Sequence, residues 1–301
     1  MNIPLSSHRR LLALLVGCLL IILQCSPAVT AAAASSETDQ NSCKTGEIIH
    51  ILLIGQDRRG EDDTARADSI ILCSFCPSEK QITITSFLRD LYVPIPGHQD
   101  NRLNAAFAFG GMDLMKQTIE TNFDLTIDGC IEADFSQFPQ IIDILGGVSI
   151  NLRQDEADAV NRKIPGTLTE GTCLLTGEQA LAYSRLRYLD SDGDFSRTER
   201  QRKLITSLLD RYRSASLLTI LSSVADLMPI VTTDLSKKQI LFFAAKLFPL
   251  LDSPQIRSQR IPASGSFTYE TIRNMEVLTA DMEMLKRLLH ELLFSANKPT
   301  S

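Results

Sequence analysis

Between residues 48 and 87 three short apolar runs follow one another, and each meets charge at one end. "IIHILLIG" (48–55) and "DSIILCSF" (68–75) are continuous apolar runs of strand length bounded by polar residues, which predicts buried strands. "QITITSF" (81–87) alternates, with Ile82 and Ile84 on one side and Thr83 and Thr85 on the other, the two-residue period of a strand. The "CPSEK" between the second and third runs is turn chemistry, so 69–87 reads as a hairpin. A hairpin brings its two termini to one sheet edge, and this places Arg89 near Asp68 before any other residue is considered.

The rest of the chain mixes strands and helices without a clean βαβ alternation. Helices are expected at 110–123, with Leu114, Ile119 and Phe123 among the apolar positions, and at 136–147, with Pro139 near the first turn and Gly146–Gly147 as the stop. Strands are expected at 128–135 and 148–152. Thr176 with Gln179, and Ser196 with Glu199, each fit a capping box, the second opening a long helix. Apolar helices follow around 217–228 and 236–251, then a strand near 256–263 and a helix at 279–294. In that last helix Met282, Leu285, Leu288, Leu289 and Leu292 recur at helical spacing, a core stripe. These elements predict one mixed α/β domain with helices on both sheet faces.

The N-terminus has a different character. Arg9 and Arg10 precede an apolar run over 11–23, which gives way to alanines and then to a polar stretch. This is an export pattern. It divides the chain into a signal peptide or membrane anchor at 1–34, a polar linker at 35–46, the folded domain at 47–295 and a tail at 296–301. The chain is therefore expected to be exported, and either anchored at the outer face of a membrane or released. A net charge of −6 with no lysine-rich tail argues against a general nucleic-acid binder. Of 7 cysteines, Cys18 and Cys25 fall in the export segment; the others are Cys43, Cys73, Cys76, Cys130 and Cys173, an odd number. Cys73 and Cys76 have the spacing of a redox or zinc pair, but on a strand positions i and i+3 face opposite ways. Small buried side chains and an exported disulfide are the two readings left.

Charge gathers in three places at strand and helix ends. The first is the segment after 48–55, where Asp57 and Asp68 flank a loop with Arg58, Arg59 and Arg66. Two carboxylates at facing strand ends can hold one hard cation, although a solvated acidic loop has the same composition. The second is Arg89–Asp90. The third, 180–203, carries Arg185, Arg187, Asp194, Arg197 and Gln201, with Arg200 and Arg202 close by. Arginine forks at a helix N-terminus suit phosphate, and the alternative is an amphipathic helix with a solvated basic face. The four histidines show no zinc spacing, and there is no nucleophile elbow, Walker lysine or dinucleotide fingerprint.

Read in order, "LLIGQDRR", "ARADSIIL", "ITSFLRDLYV", "RLNAAFAFGG", "ADFSQFPQIIDILGGVSINL", "LTGEQALAYSRLRY" and "GDFSRTERQRKLI" resemble the LytR–CpsA–Psr family of bacterial cell-envelope proteins. The resemblance covers about 48–295. It implies a three-layer α/β/α sandwich with a mixed central sheet and a polyprenyl-phosphate pocket. It also implies Mg²⁺-dependent transfer of a glycopolymer, such as teichoic acid or capsule, from an undecaprenyl-pyrophosphate carrier to peptidoglycan at the membrane surface. Matched by motif, Asp57 and Asp68 resemble the metal-binding carboxylates. Arg66, Arg89, Arg185, Arg187 and Arg197 resemble the pyrophosphate-binding arginines, with Asp194 and Gln201 in support. Asp57, Asp68 and Asp90 are the candidates for a general base. The sequence departs from the family pattern at Ala67, where threonine is common, and at Ser196, where glycine is usual. Two other functions share these residues: a non-catalytic lipid-pyrophosphate-binding regulator, and a lipid-pyrophosphate hydrolase.

Overall fold

A computed structural model describes residues 48–56, 66–186, 194–213, 215–252 and 254–294. In chain order the strands are β1 (Ile49–Gln56), β2 (Ala67–Cys76), β3 (Gln81–Phe87), β4 (Tyr92–Val93), β5 (Asn101–Arg102), β6 (Gly129–Asp134), β7 (Val148–Leu152), β8 (Gly171–Leu175), β9 (Thr232–Thr233), β10 (Gln255–Ile261), β11 (Thr268–Ile272) and β12 (Met275–Thr279). The helices are α1 (Leu103–Phe123), α2 (Phe138–Ile144), α3 (Gln154–Lys163), α4 (Gly177–Ser184), α5 (Asp194–Tyr212), α6 (Leu217–Leu227), α7 (Lys237–Leu247) and α8 (Met282–Phe294).

The central sheet runs β10-β3-β2-β1-β6-β9. The expected hairpin is there, with β2 antiparallel to both β3 and β1. β1 with β6 and β3 with β10 are parallel, so the sheet is mixed. This topology gathers the carboxyl ends of β1, β3, β6 and β10 and the amino end of β2 at one edge. Such an edge is where open α/β sheets build their sites.

Both faces are covered, because β1 and β2 are apolar on both. On one face Leu52, Ile70 and Leu72 pack with Met115, Ile119 and Phe123 of α1 and Leu285, Leu289 and Leu293 of α8. Phe87 meets Phe123 with ring centroids 4.8 Å apart. On the other face Ile71, Cys73, Ile82 and Ile84 pack against Ile205 and Leu209 of α5. A smaller core joins β7, β8, α2, α3 and α4 around Tyr183 and Val160. There Gly177 lies so close to the Pro139 carbonyl that no Cβ fits between them.

Several expectations need correction. The helix expected from 110 starts at Leu103, and Gly110–Gly111 is a kink with non-helical dihedrals. α5 starts at Asp194, so Ser196 sits inside the helix and forms no capping box, and Arg197 is the fourth helical residue. The Thr176 box does form: the Gln179 N–H donates to Thr176 Oγ1, and the Thr176 N–H donates to Gln179 Oε1. α3, β8, β11 and β12 had no counterpart in the sequence reading. Cys73 and Cys76 face opposite sides of the sheet, as the strand period requires. Cys76 is disulfide-bonded, while Cys73, Cys130 and Cys173 are free thiols. Burial pushes the Cys73 and Cys130 thiols up to about 12. The export segment and linker lie outside the described residues, and no described helix is long and apolar enough to cross a membrane.

Candidate active site at the sheet edge

Three neighbours fix the backbone that carries Arg89. The Leu88 N–H donates to the Ile261 carbonyl at 2.8 Å, which ties the end of β3 to β10. At the start of α1 the Leu103 N–H donates to the Leu91 carbonyl (2.8 Å) and the Asn104 N–H to the Arg89 carbonyl (3.0 Å). These are helix-start amides that would otherwise need a cap. From β12 the Leu278 N–H donates to the Asp90 carbonyl at 2.9 Å.

The side chains then converge. Arg89 Nη1 donates to Asp68 Oδ1 at 2.5 Å, and Arg89 Nε lies 3.4 Å from Asp90 Oδ2. The other Asp90 oxygen is 3.5 Å from Arg102 Nη1. From α5, Arg197 Nη2 donates to the Asp68 carbonyl (3.4 Å), and one turn on Gln201 Oε1 accepts from Ser69 Oγ (3.1 Å). Arg197 is 4% exposed. A guanidinium this deep, beside a strand end, presents a preorganised positive charge at the edge.

Asp68, Arg89, Asp90, Arg197 and Gln201 are therefore brought together. Arg66, just before β2, is exposed. Arg185 is also exposed, with its Cζ 5.1 Å from the centroid of the Phe135 ring. Asp57, Arg187 and the side chain of Asp194 lie outside the described residues.

Arg102, Glu156 and the role of Arg200 were not legible in the sequence. Arg200 Nε donates to Glu156 Oε1 (2.9 Å) and Arg200 Nη1 to the Leu186 carbonyl (3.1 Å). This buried pair holds the segment between Arg185 and Arg187. Glu156 gave no signal because α3 itself was missed, whereas Arg102 could have been noticed as a cation directly ahead of an apolar helix.

The residues fit a hard cation in donor type. Arg89 occupies Asp68 Oδ1, and the remaining carboxylate oxygen is a hard donor. The register Gln56↔Ala67 sets the end of β1 beside the start of β2, and Asp57 is the next residue in the chain. Among the described residues no group of three His, Cys, Asp or Glu could hold a metal. Mg²⁺ needs only one or two carboxylates when waters and phosphate oxygens complete its shell.

On the α5 face, a cavity of about 510 Å³ opens at this edge. Its walls are apolar: Ile71 and Ile131 from the sheet, Ile141 from α2, Val224 and Leu227 from α6, and Phe243 from α7. Gly55, Ser69 and Gln201 line it where it meets the edge. The class of ligand this defines has an anionic head and a long apolar tail.

The LytR_cpsA_psr family model matches residues 22–292, and the chain belongs to that family. It is 31% identical over 268 residues to the polyisoprenyl-teichoic acid–peptidoglycan teichoic acid transferase TagU of Enterococcus faecalis, covering 84% of each chain. Among solved structures it is similar to TagT bound to LIIa-WTA, with a TM-score of 0.67 and 27% identity over 82% of this chain and 91% of that one. It is also similar to TagT with bound octaprenyl pyrophosphate lipid, with a TM-score of 0.63 and 26% identity over 82% and 91% of the two chains. The three-layer α/β/α architecture with a mixed sheet is the fold of these proteins.

Proposed function

We propose that this chain transfers a glycopolymer from an undecaprenyl-pyrophosphate carrier onto peptidoglycan at the outer face of the membrane. The observation that carries this reading is the joining of two environments: an apolar cavity of about 510 Å³ reaches Ser69 and Gln201, which adjoin Asp68 on β2 and Arg197 one turn back on α5. A polyprenyl tail suits the cavity and a pyrophosphate suits the arginines. The relatives named above carry the same donor and acceptor classes in their names.

In this reading Arg89 and Arg197 bind the pyrophosphate, Arg66 and Arg185 add charge from the rim, and Arg187, outside the described residues, is a further candidate for the same role. Asp68 and Arg102–Asp90 hold Arg89 in its rotamer, while Gln201 holds α5 against β2. Mg²⁺, held by Asp57 and Asp68, would supply further neutralisation of the phosphates. An acceptor hydroxyl attacks the phosphorus that bears the glycopolymer. A new P–O bond forms, the P–O bond to the lipid phosphate breaks, and the hydroxyl proton passes to a carboxylate at the edge. Charge stabilisation and positioning account for most of the acceleration, as in other phosphoryl transfers.

The test is to incubate the full chain in detergent with a lipid-pyrophosphate saccharide, peptidoglycan oligomers and Mg²⁺, and to identify products by mass spectrometry. A saccharide–peptidoglycan phosphodiester that disappears with EDTA is the expected product. Free saccharide phosphate alone would instead identify a hydrolase, and donor binding without product a regulator.

A further inference from the structure

Phe195, Phe267 and Tyr269 form a row of rings at the β10 side of the site. Phe195 and Phe267 have centroids 5.5 Å apart, and Phe267 and Tyr269 meet edge to face at 5.4 Å. The Arg260 guanidinium carbon lies 4.1 Å from the centroid of the Phe195 ring. The row starts two residues before Arg197. It ends at Tyr269, the register partner of Leu278, whose N–H holds the Asp90 carbonyl. Tyr269 is 73% exposed. Rings that served only to pack the β11–β12 hairpin would not leave the last one in solvent, since burial is what rewards such packing.

We propose that this row is the binding subsite for the acceptor glycan chain. The inference rests on the transferase reading and adds to it where the acceptor lies. Sugars present C–H faces that stack on the electron-rich faces of aromatic rings, and rings with an adjacent arginine are the side chains most enriched in recognition surfaces.

The sheet order favours the acceptor over the donor. The cavity meets the edge at Gly55 of β1, Ser69 of β2 and Phe135 after β6, on one side of Arg89. The ring row lies at β10 and beyond, on the other side. Phosphoryl transfer sets the attacking and leaving oxygens roughly in line. A leaving lipid phosphate on the β1 side therefore calls for the attacking hydroxyl from the β10 side.

A second observation gives the subsite a charged component. Arg202 and Arg260 line a recess of about 350 Å³ beside the row. Arg202 is 7% exposed; its Nε donates to Ser258 Oγ at 2.8 Å, and its Nη1 has no hydrogen-bond partner among the described residues. A buried donor left open in this way suits a carboxylate, which the peptide stems of peptidoglycan carry.

The experiment measures binding of peptidoglycan glycan strands to the full chain in detergent, without donor, and then the KM for each substrate. In Tyr269→Ala and Phe267→Ala we expect acceptor binding to weaken about tenfold and acceptor KM to rise to match, with donor KM unchanged, and Tyr269→Trp to restore both. Unchanged acceptor binding in both alanine variants overturns the proposal, as does a rise in donor KM in place of acceptor KM. Strands that keep their stems are expected to bind wild type more tightly than bare strands, with Arg202→Met abolishing the difference; a persisting difference overturns the carboxylate assignment. A wild-type chain that binds strands yet makes no phosphodiester refutes the transferase reading, while the binding arm still decides the ring row.

Discussion

Arg200 and Glu156, 44 residues apart in sequence, meet at 2.9 Å with side chains only 3% and 5% exposed. Two charges so deep are tolerated because each completes the other, and because Arg200 also donates to the Leu186 carbonyl. Glu156→Gln leaves a buried guanidinium without its counter-charge. The expected loss is about 3–5 kcal/mol in urea unfolding. Replacing both partners with leucine should recover much of that loss without restoring activity, since the Leu186 carbonyl remains unheld. An unchanged unfolding midpoint in Glu156→Gln would show that the pair is not a brace.

Arg89 contributes to the site in a different way. Its ion pair with Asp68 is about one-fifth exposed on both sides, so its loss should cost little stability. Removal of one preorganised charge at a developing phosphoryl centre is expected to lower kcat by about 10² to 10³. Arg89→Ala should therefore abolish most transfer while the melting temperature stays near wild type. Arg89→Lys should rescue poorly, because an ammonium cannot engage Asp68 and Asp90 as the planar fork does. Near wild-type turnover in Arg89→Ala would remove Arg89 from the site.

The difference between these two arginines shows what the sequence could convey. Arg89 was legible because a hairpin's ends must meet and because charge at the end of an apolar strand stands out. The Arg200–Glu156 pair was not, because a salt bridge between helices leaves no local pattern. Ser196 misled for the opposite reason: its local signature is that of a cap, but the helix continues one turn earlier to Asp194, which places Arg197 over β2. β11 and β12 went unread because Thr268–Ile272 is largely exposed and has no apolar alternation. That hairpin nevertheless anchors Asp90. The helices expected at 136–147 and 217–228 do form, and they supply Ile141, Ile142, Ile220 and Val224 to the cavity walls.

His50 makes the fold sensitive to acid. Burial, outweighing the nearby Asp128 carboxylate and reinforced by His290, pulls its pKa from 6.5 down to about 4. Its Nδ1 lies 2.9 Å from Ser74 Oγ, and the residue is 6% exposed. The unfolded chain takes up a proton near pH 6.5, whereas the folded chain does so only near pH 4. Stability from this residue is thus complete above pH 6.5 and is lost as pH falls through that window, by about 3 kcal/mol. Unfolding midpoints at pH 7 and pH 4.5 should differ less in His50→Gln than in wild type. An equal difference in the two proteins would assign the acid sensitivity elsewhere.

The cavity makes the last prediction, and tail length is the variable that isolates it. α6 contributes Val224 to the wall but has no fully buried residue, so a change there tests the cavity more than the core. Val224→Asp sets a carboxylate against an apolar lining, at a cost of several kcal/mol if a tail seals it from water. Binding of an octaprenyl pyrophosphate should weaken about 100-fold or more, which corresponds to roughly 2.7 kcal/mol. A pyrophosphate on a tail of one or two isoprene units gains little from the wall, since burial contributes about 0.8 kcal/mol per methylene, and should lose far less. Arg89→Ala acts on the head and should weaken long and short tails alike. Calorimetric titration of both ligands into wild type and the two variants gives the comparison. Equal losses for long and short tails in Val224→Asp would mean that the tail lies somewhere other than this cavity.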